Sequence, residues 1–152
     1  MNDLLDTNIL LIYTQSSSLA DRLEGDLSLF TFPNNLFTSV VAIGEMESLI
    51  MQREYGQQKR TAFRKLLEKV AILDINILEV ILRYAEIDAY SQGKHPNRTS
   101  SLSARNMGKN DLWIAATSSY YNLELVTTDK DFDHLNRTYL NLNYVDIRKY
   151  KK

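Results

Sequence analysis

The run Leu4-Leu5-Asp6-Thr7-Asn8-Ile9-Leu10 holds a strand end and a helix start within seven residues. Leu4, Leu5 and Asp6 read as a short buried strand that Asp6 closes. A helix then starts at Thr7 or Asn8, residue types that favour such a start. Working outward, the same change of period recurs. Leu36-Phe37-Thr38-Ser39 is a second strand feeding a helix from about Val40 to Arg53, and Val70–Ile75 is a third, followed by a helix over Leu78–Tyr90. A fourth strand covers Leu123–Thr127 and a last one Leu140–Ile147, ahead of the basic tail Arg148 to Lys152. Further helices are expected at Ser17–Leu23, Gln57–Lys69 and Asp111–Tyr121, with a short helical turn over Asp131–Asn136. In Gln57–Lys69 the spacing puts Ala62, Leu66, Leu67 and Val70 on one side and Lys59, Arg60, Arg64 and Lys65 largely on the other. Ser91–Asn110 is polar and irregular. Strands alternating with helices predict an α/β fold with a mainly parallel sheet of four or five strands, in one domain over residues 1–152. In such sheets ligands bind beyond the carboxyl ends of the strands, so the residues that follow each strand carry the functional question.

Composition narrows the classes. Hydrophobic residues make up 44% of the 152, with nine Tyr and five Phe, enough for a sizeable core. No Cys is present, which excludes a disulfide scaffold, a thiolate zinc site and a cysteine nucleophile. Acids near the start and an apolar run, Ile9–Tyr13, too short to cross a bilayer predict a soluble, cytoplasmic protein. A formal net charge of -1 is not the footprint of bulk-charge binding to nucleic acid. An acidic pocket ringed by Lys and Arg gives the same total.

The residues after the strands are acidic unusually often. Asp6 closes the first strand, Glu45 lies in the helix after the second, Asp111 begins the helix after the polar stretch, and Asp129 and Asp131 follow the fourth strand. Gathered in one cleft, these charges repel and raise one another's pKa. A divalent cation removes that cost, and oxygen ligands without Cys or a placed His suit Mg²⁺ or Mn²⁺ rather than zinc. Each acid also has a plain structural reading. Asp6 can cap a helix, Asp111 can favour a helix dipole, and Asp129 and Asp131 can shape a turn. Glu45 is different, because its helical neighbours Val41, Ala42 and Leu49 form an apolar stripe where an unpaired carboxylate is costly. Glu47, among Ile43, Ile50 and Met51, has similar surroundings, so periodicity leaves both open.

Taken together, Leu4-Leu5-Asp6-Thr7-Asn8-Ile9-Leu10, Glu45, Asn110-Asp111-Leu112-Trp113-Ile114-Ala115-Ala116 and Leu125-Val126-Thr127-Thr128-Asp129-Lys130-Asp131-Phe132 resemble the successive motifs of PIN domains, most closely those of VapC-type toxins. The resemblance runs from Met1 to about Ile147. It implies an α/β/α sandwich and a metal-dependent endoribonuclease that is the toxin of a type II toxin–antitoxin pair. It puts Asp6, Glu45, Asp111 and Asp129 in the places of the metal-binding acids, with one or two Mg²⁺ or Mn²⁺ ions, and so favours Glu45 over Glu47. Asn8 and Thr127 match polar positions that hold those acids by hydrogen bonds, and Asp131 matches an accessory acid. A homodimer and a small antitoxin protein are the partners it implies.

RNA would be gripped through its phosphates, with Arg98, Arg105, Lys109 and Lys130 as candidates. Ala115 and Ala116 are small enough to let their helix approach the sheet. Trp113 is expected to pack rather than stack on a base, and His95 and His134 to lie at the surface. Alternatives are a PIN nuclease for RNA processing or DNA, and a non-catalytic acidic α/β module such as a receiver. The receiver lacks support, since Asp3 and Asp6 stand too far apart for its acidic pair and no late strand ends in Lys. A haloacid-type phosphatase needs a second Asp where Asn8 stands.

Overall fold

Five short strands lie side by side in the order β3-β2-β1-β4-β5, every neighbouring pair parallel. They are β1 (Asn2–Leu5), β2 (Asn35–Ser39), β3 (Ala71–Leu73), β4 (Glu124–Thr127) and β5 (Asn141–Tyr144). The structure is a computed structural model and describes residues 1–15, 17–99 and 102–151. Ser100 and Ser101 of the polar stretch, and Lys152 of the basic tail, lie outside the described residues. Among the described residues six α-helices connect the strands: α1 (Thr7–Gln15), α2 (Ser17–Leu27), α3 (Val40–Gln52), α4 (Gln57–Leu67), α5 (Leu78–Ser91) and α6 (Lys109–Tyr121). No helix among the described residues is long and apolar enough to cross a membrane.

β1 is central because it is covered on both faces. Leu4 and Leu5 point to opposite sides and both are buried, the signature of a strand inside a parallel sheet. The chain winds outward from β1 through β2 to β3, then returns past β1 to build β4 and β5 on the other side. The winding direction reverses between β1 and β4, and the crevice at their carboxyl ends is where side chains converge without a loop crossing over them. Helices start directly there: α1 opens one residue after β1, and α3 follows β2 at once, with Ser39 Oγ accepting from Val41 N at 3.1 Å as its N-cap.

α6 lies hard against the sheet. Leu112 and Ile114 through Ser118 are all buried, and Ala115 and Ala116 are fully so, as their size predicts. The buried hydroxyls are satisfied at home, Thr117 on the Trp113 carbonyl and Ser118 on the Leu123 carbonyl, each at 2.8 Å. Trp113 packs against Tyr84 of α5, ring centroids 4.3 Å apart, so it serves packing as expected.

Several boundaries differ from the sequence reading. The third strand is only three residues long and exposes Ile72, because it is a sheet edge and Asp74 closes a turn by accepting from Asn76 N. β5 stops at Tyr144, and Asp146 caps a 3₁₀ turn at Ile147–Tyr150 instead. α2 runs four residues further, to Leu27. The larger correction concerns His134. Its sequence neighbours are polar, yet the segment Lys130–Leu135 forms a 3₁₀ turn that aims Phe132, His134 and Leu135 inward, and the ring is buried against Ser91 Oγ at 2.8 Å. His95 is half-buried, its Nδ1 accepting from the backbone of Asn97 and Arg98.

Candidate active site

Asp6 follows β1 at the reversal point and is buried. Three donors point at its carboxylate: Thr7 N at 2.7 Å to Oδ1, with Asn8 Nδ2 at 3.2 Å and Thr127 Oγ1 at 2.6 Å to Oδ2. Thr127, the last residue of β4, is the hub. Its one proton goes to Asp6, and its lone pairs accept from Asn8 Nδ2 at 3.3 Å and Asp129 N at 3.0 Å, which uses the hydroxyl's full capacity. Asn8 Oδ1 accepts in turn from Thr128 N at 3.2 Å, fixing the amide's orientation. Asn8 and Thr127 therefore both hydrogen-bond the same oxygen of the buried Asp6 carboxylate. Thr7 adds a link that the sequence did not announce, its Oγ1 donating to Glu45 Oε1 at 2.9 Å. That bond turns Glu45 inward, while Glu47 is exposed.

Asp111 lies in the first turn of α6, two residues after the helix begins at Lys109. Asp129 caps the following 3₁₀ turn by accepting from Asp131 N at 2.9 Å. Carboxylate oxygens of Asp111, Asp129 and Asp131 lie within 4.8 Å of one another, so Asp131, read as an accessory, belongs to the tightest trio. The plain structural roles are also real: Asp6 bonds the first amide of its helix, and Asp129 shapes its turn.

The acids feel one another's charge. Burial pushes the Asp6 carboxyl up to about 6, against the pull of Thr127 and Thr7, with Glu45 and Asp129 adding to the rise. Asp111 is pushed up to about 7 by burial and then by Asp6, Asp129, Glu45 and Asp131. Among the described residues the only ion pairs are His95–Glu86 and Arg148–Asp146, so no arginine or lysine neutralises any of these acids. Every donor around Asp6 favours the charged form, yet its surroundings resist that charge. A divalent cation reconciles the two, and a set made only of oxygen donors fits a hard ion.

The basic candidates separate. Arg105 donates from Nη1 to the Lys130 carbonyl at 3.4 Å, between Asp129 and Asp131. Lys109 is exposed two residues before Asp111, and the exposed Lys130 holds its ammonium 5.6 Å from the Tyr144 ring centroid. Arg98 is not brought to the acids. It sits over Tyr139, just before β5, beside the start of β4 rather than the end that carries Asp129. Asp3 is the other buried acid of β1, near that opposite end, with neither oxygen hydrogen-bonded.

The fold is shared. A PIN domain model matches residues 4–137, most of the chain, and the chain belongs to the PIN domain family. Solved structures with the same fold include VapBC2 from Rickettsia felis bound to a DNA fragment from its promoter, with a TM-score of 0.75 at 22% identity over 96% of this chain and 100% of that one. VapBC-1 from nontypeable Haemophilus influenzae gives 0.66 at 24% identity, covering 95% and 98%. VapBC-5 from Mycobacterium tuberculosis, a member of the VapBC family of toxin–antitoxin systems, gives 0.62 at 18% identity, covering 95% and 98%. No curated protein matches this chain.

Proposed function

We propose that this chain is a divalent-metal-dependent endoribonuclease, the toxin of a type II toxin–antitoxin pair. One observation carries the reading: acids from four separate parts of the chain meet, unpaired, where the sheet reverses its winding. Asp6 and Asp111 would hold Mg²⁺ or Mn²⁺, with Glu45 and Asp129 completing the set. Such an ion supplies a Lewis acid that makes water a better nucleophile and neutralises charge developing on a phosphodiester.

The chain's own residues prepare that chemistry. Thr127 and Asn8 lock the Asp6 carboxylate in one orientation, and Thr7 does the same for Glu45. Arg105, Lys109 and Lys130, each close in the chain or by contact to Asp111 or Asp129, would take the phosphates on either side of the cut. Unpaired nucleotides suit so confined a cleft better than a duplex.

Relatives in fold that come from toxin–antitoxin systems support a small antitoxin as partner. Exposed Leu78, Ile81 and Leu82 give α5 an apolar stripe, which supports self-association into a homodimer. A cytoplasmic location accords with an RNA target.

The test is incubation of purified protein with a mixed RNA pool and Mg²⁺ or Mn²⁺. Cleavage is expected for the parent chain and absent with EDTA, and Asp6→Asn and Asp111→Asn are expected to fold but not cut. Cleavage that persists in EDTA overturns the metal assignment, and cutting of DNA in place of RNA overturns the substrate. Sequencing of the cleaved ends then gives the site.

A further inference from the structure

Ser91, the last residue of α5, ties together three segments around the polar loop. Its Oγ bonds His134 Nε2 at 2.8 Å and lies 3.3 Å from Met107 Sδ, while its carbonyl accepts from Arg105 N at 2.6 Å. Ser91, His134 and Met107 are all buried. The two ends of the loop thus close on one residue, and the 3₁₀ turn that carries Asp131 is fastened to the same point. The bond between His134 Nε2 and Ser91 Oγ uses a single proton, whichever of the two atoms carries it.

What this fastening presents is Arg105. Its backbone is held by Ser91, its side chain is half-buried, and Nη1 reaches the carbonyl between Asp129 and Asp131. Among the described residues its guanidinium forms no ion pair, although the carbonyl it reaches lies between Asp129 and Asp131 in the chain. A free arginine in such a place would swing onto a carboxylate, and here it is held on a neutral oxygen. The remaining N–H groups of the planar fork stay available for an anion.

We propose that the buried Ser91–His134 pair is a positioning device that holds Arg105 at the rim of the acidic cleft to grip a phosphate of the nucleic-acid strand. This rests on the nuclease reading above. His134 and Ser91 touch neither substrate nor metal, and they act through Arg105.

The experiment measures kcat and KM in Mn²⁺ on a mixed-sequence single-stranded RNA oligonucleotide. Binding of the same RNA to an Asp111→Asn background is followed by anisotropy at several salt concentrations. Arg105→Ala, His134→Ala and Ser91→Ala are each expected to raise KM about tenfold, the loss of one charge-assisted hydrogen bond, with kcat little changed. Binding should weaken in parallel, and the slope of log K against log salt should become shallower by about 0.7, the value for one phosphate contact on a single strand. His134→Gln, which keeps an N–H donor at similar reach, should restore KM. His134→Ala combined with Arg105→Ala should be no worse than Arg105→Ala alone.

Unchanged KM and salt slope in the Ser91 and His134 variants, or additive losses in the double variant, overturn the proposal while leaving the nuclease reading intact. Failure of the parent chain to cut or bind RNA removes both. Should His134→Ala not fold, as judged by circular dichroism, Ser91→Ala removes the same bond at a smaller packing cost and decides the matter.

Discussion

At the scale of single residues, Thr127 carries more of the site than its size suggests. One hydroxyl orients Asp6, fixes the Asn8 amide and ends the backbone turn that places Asp129. Thr127→Val keeps the shape and removes all three contacts. It is expected to lower metal affinity by roughly 10–100-fold, as loss of a ligand-orienting bond does, while Thr127→Ser retains most of it. Calorimetric titration of Mn²⁺ into both variants checks this. Asp111 offers a second prediction. Its carboxyl rises from 3.8 to about 7 on folding. Raised values mean that no cost exists below the unfolded pKa, where both states hold the proton, and that stability is lost as pH climbs towards 7. In EDTA, Asp111→Asn should therefore stabilise the fold at pH 8, on the order of 1–2 kcal/mol, well under the shift's face value because the residue is only half-buried. The gain should fade to nothing near pH 4. Thermal melts across pH measure it, and a gain that grows towards low pH would contradict the assignment.

Among the elements, α6 couples packing to chemistry. Ala115 and Ala116 have no exposed surface, so the helix rides on the sheet at the closest distance that side chains permit. Asp111 stands one turn before them on the same helix. Ala116→Leu adds three carbons where no space exists. It is expected to cost about 1–3 kcal/mol, as overpacking typically does, and to lift the start of α6 away from Asp6. A fall in Mn²⁺ affinity larger than that of Ala115→Gly would mark the second effect. Equal affinities would show that the helix relaxes without moving Asp111.

At the level of the whole molecule, the acidic crevice and the apolar stripe of α5 are the two surfaces proposed above for substrate and for a second copy of the chain. Leu78 is 64% exposed and Leu82 59%, and a lone domain has no reason to present both. Leu82→Asp is expected to convert a dimer to monomer in light scattering without lowering the melting temperature. A dimer that survives this change must use another face. Nuclease activity measured on the monomer then tells whether each cleft works alone.

Much of this was legible along the chain. Asp6, Glu45 and Asp129 follow strands, and Asp111 opens a helix, whose period and apolar content are local properties, and the parallel α/β class follows from the alternation of strands with helices. Their order also carries the family resemblance, which the match over residues 4–137 bears out. Other features depended on contacts between segments far apart in sequence. Periodicity left Glu45 and Glu47 open and the resemblance favoured Glu45, but the contact that holds Glu45 is a hydroxyl on Thr7, 38 residues away, and Arg105 differs from Arg98 by which strand end each reaches. His134 has polar neighbours in sequence and a buried partner 43 residues earlier, so only the closed chain could bury it. Local spacing fixes which face of a strand or helix a residue occupies. What it meets there is set by the other elements that share the burial.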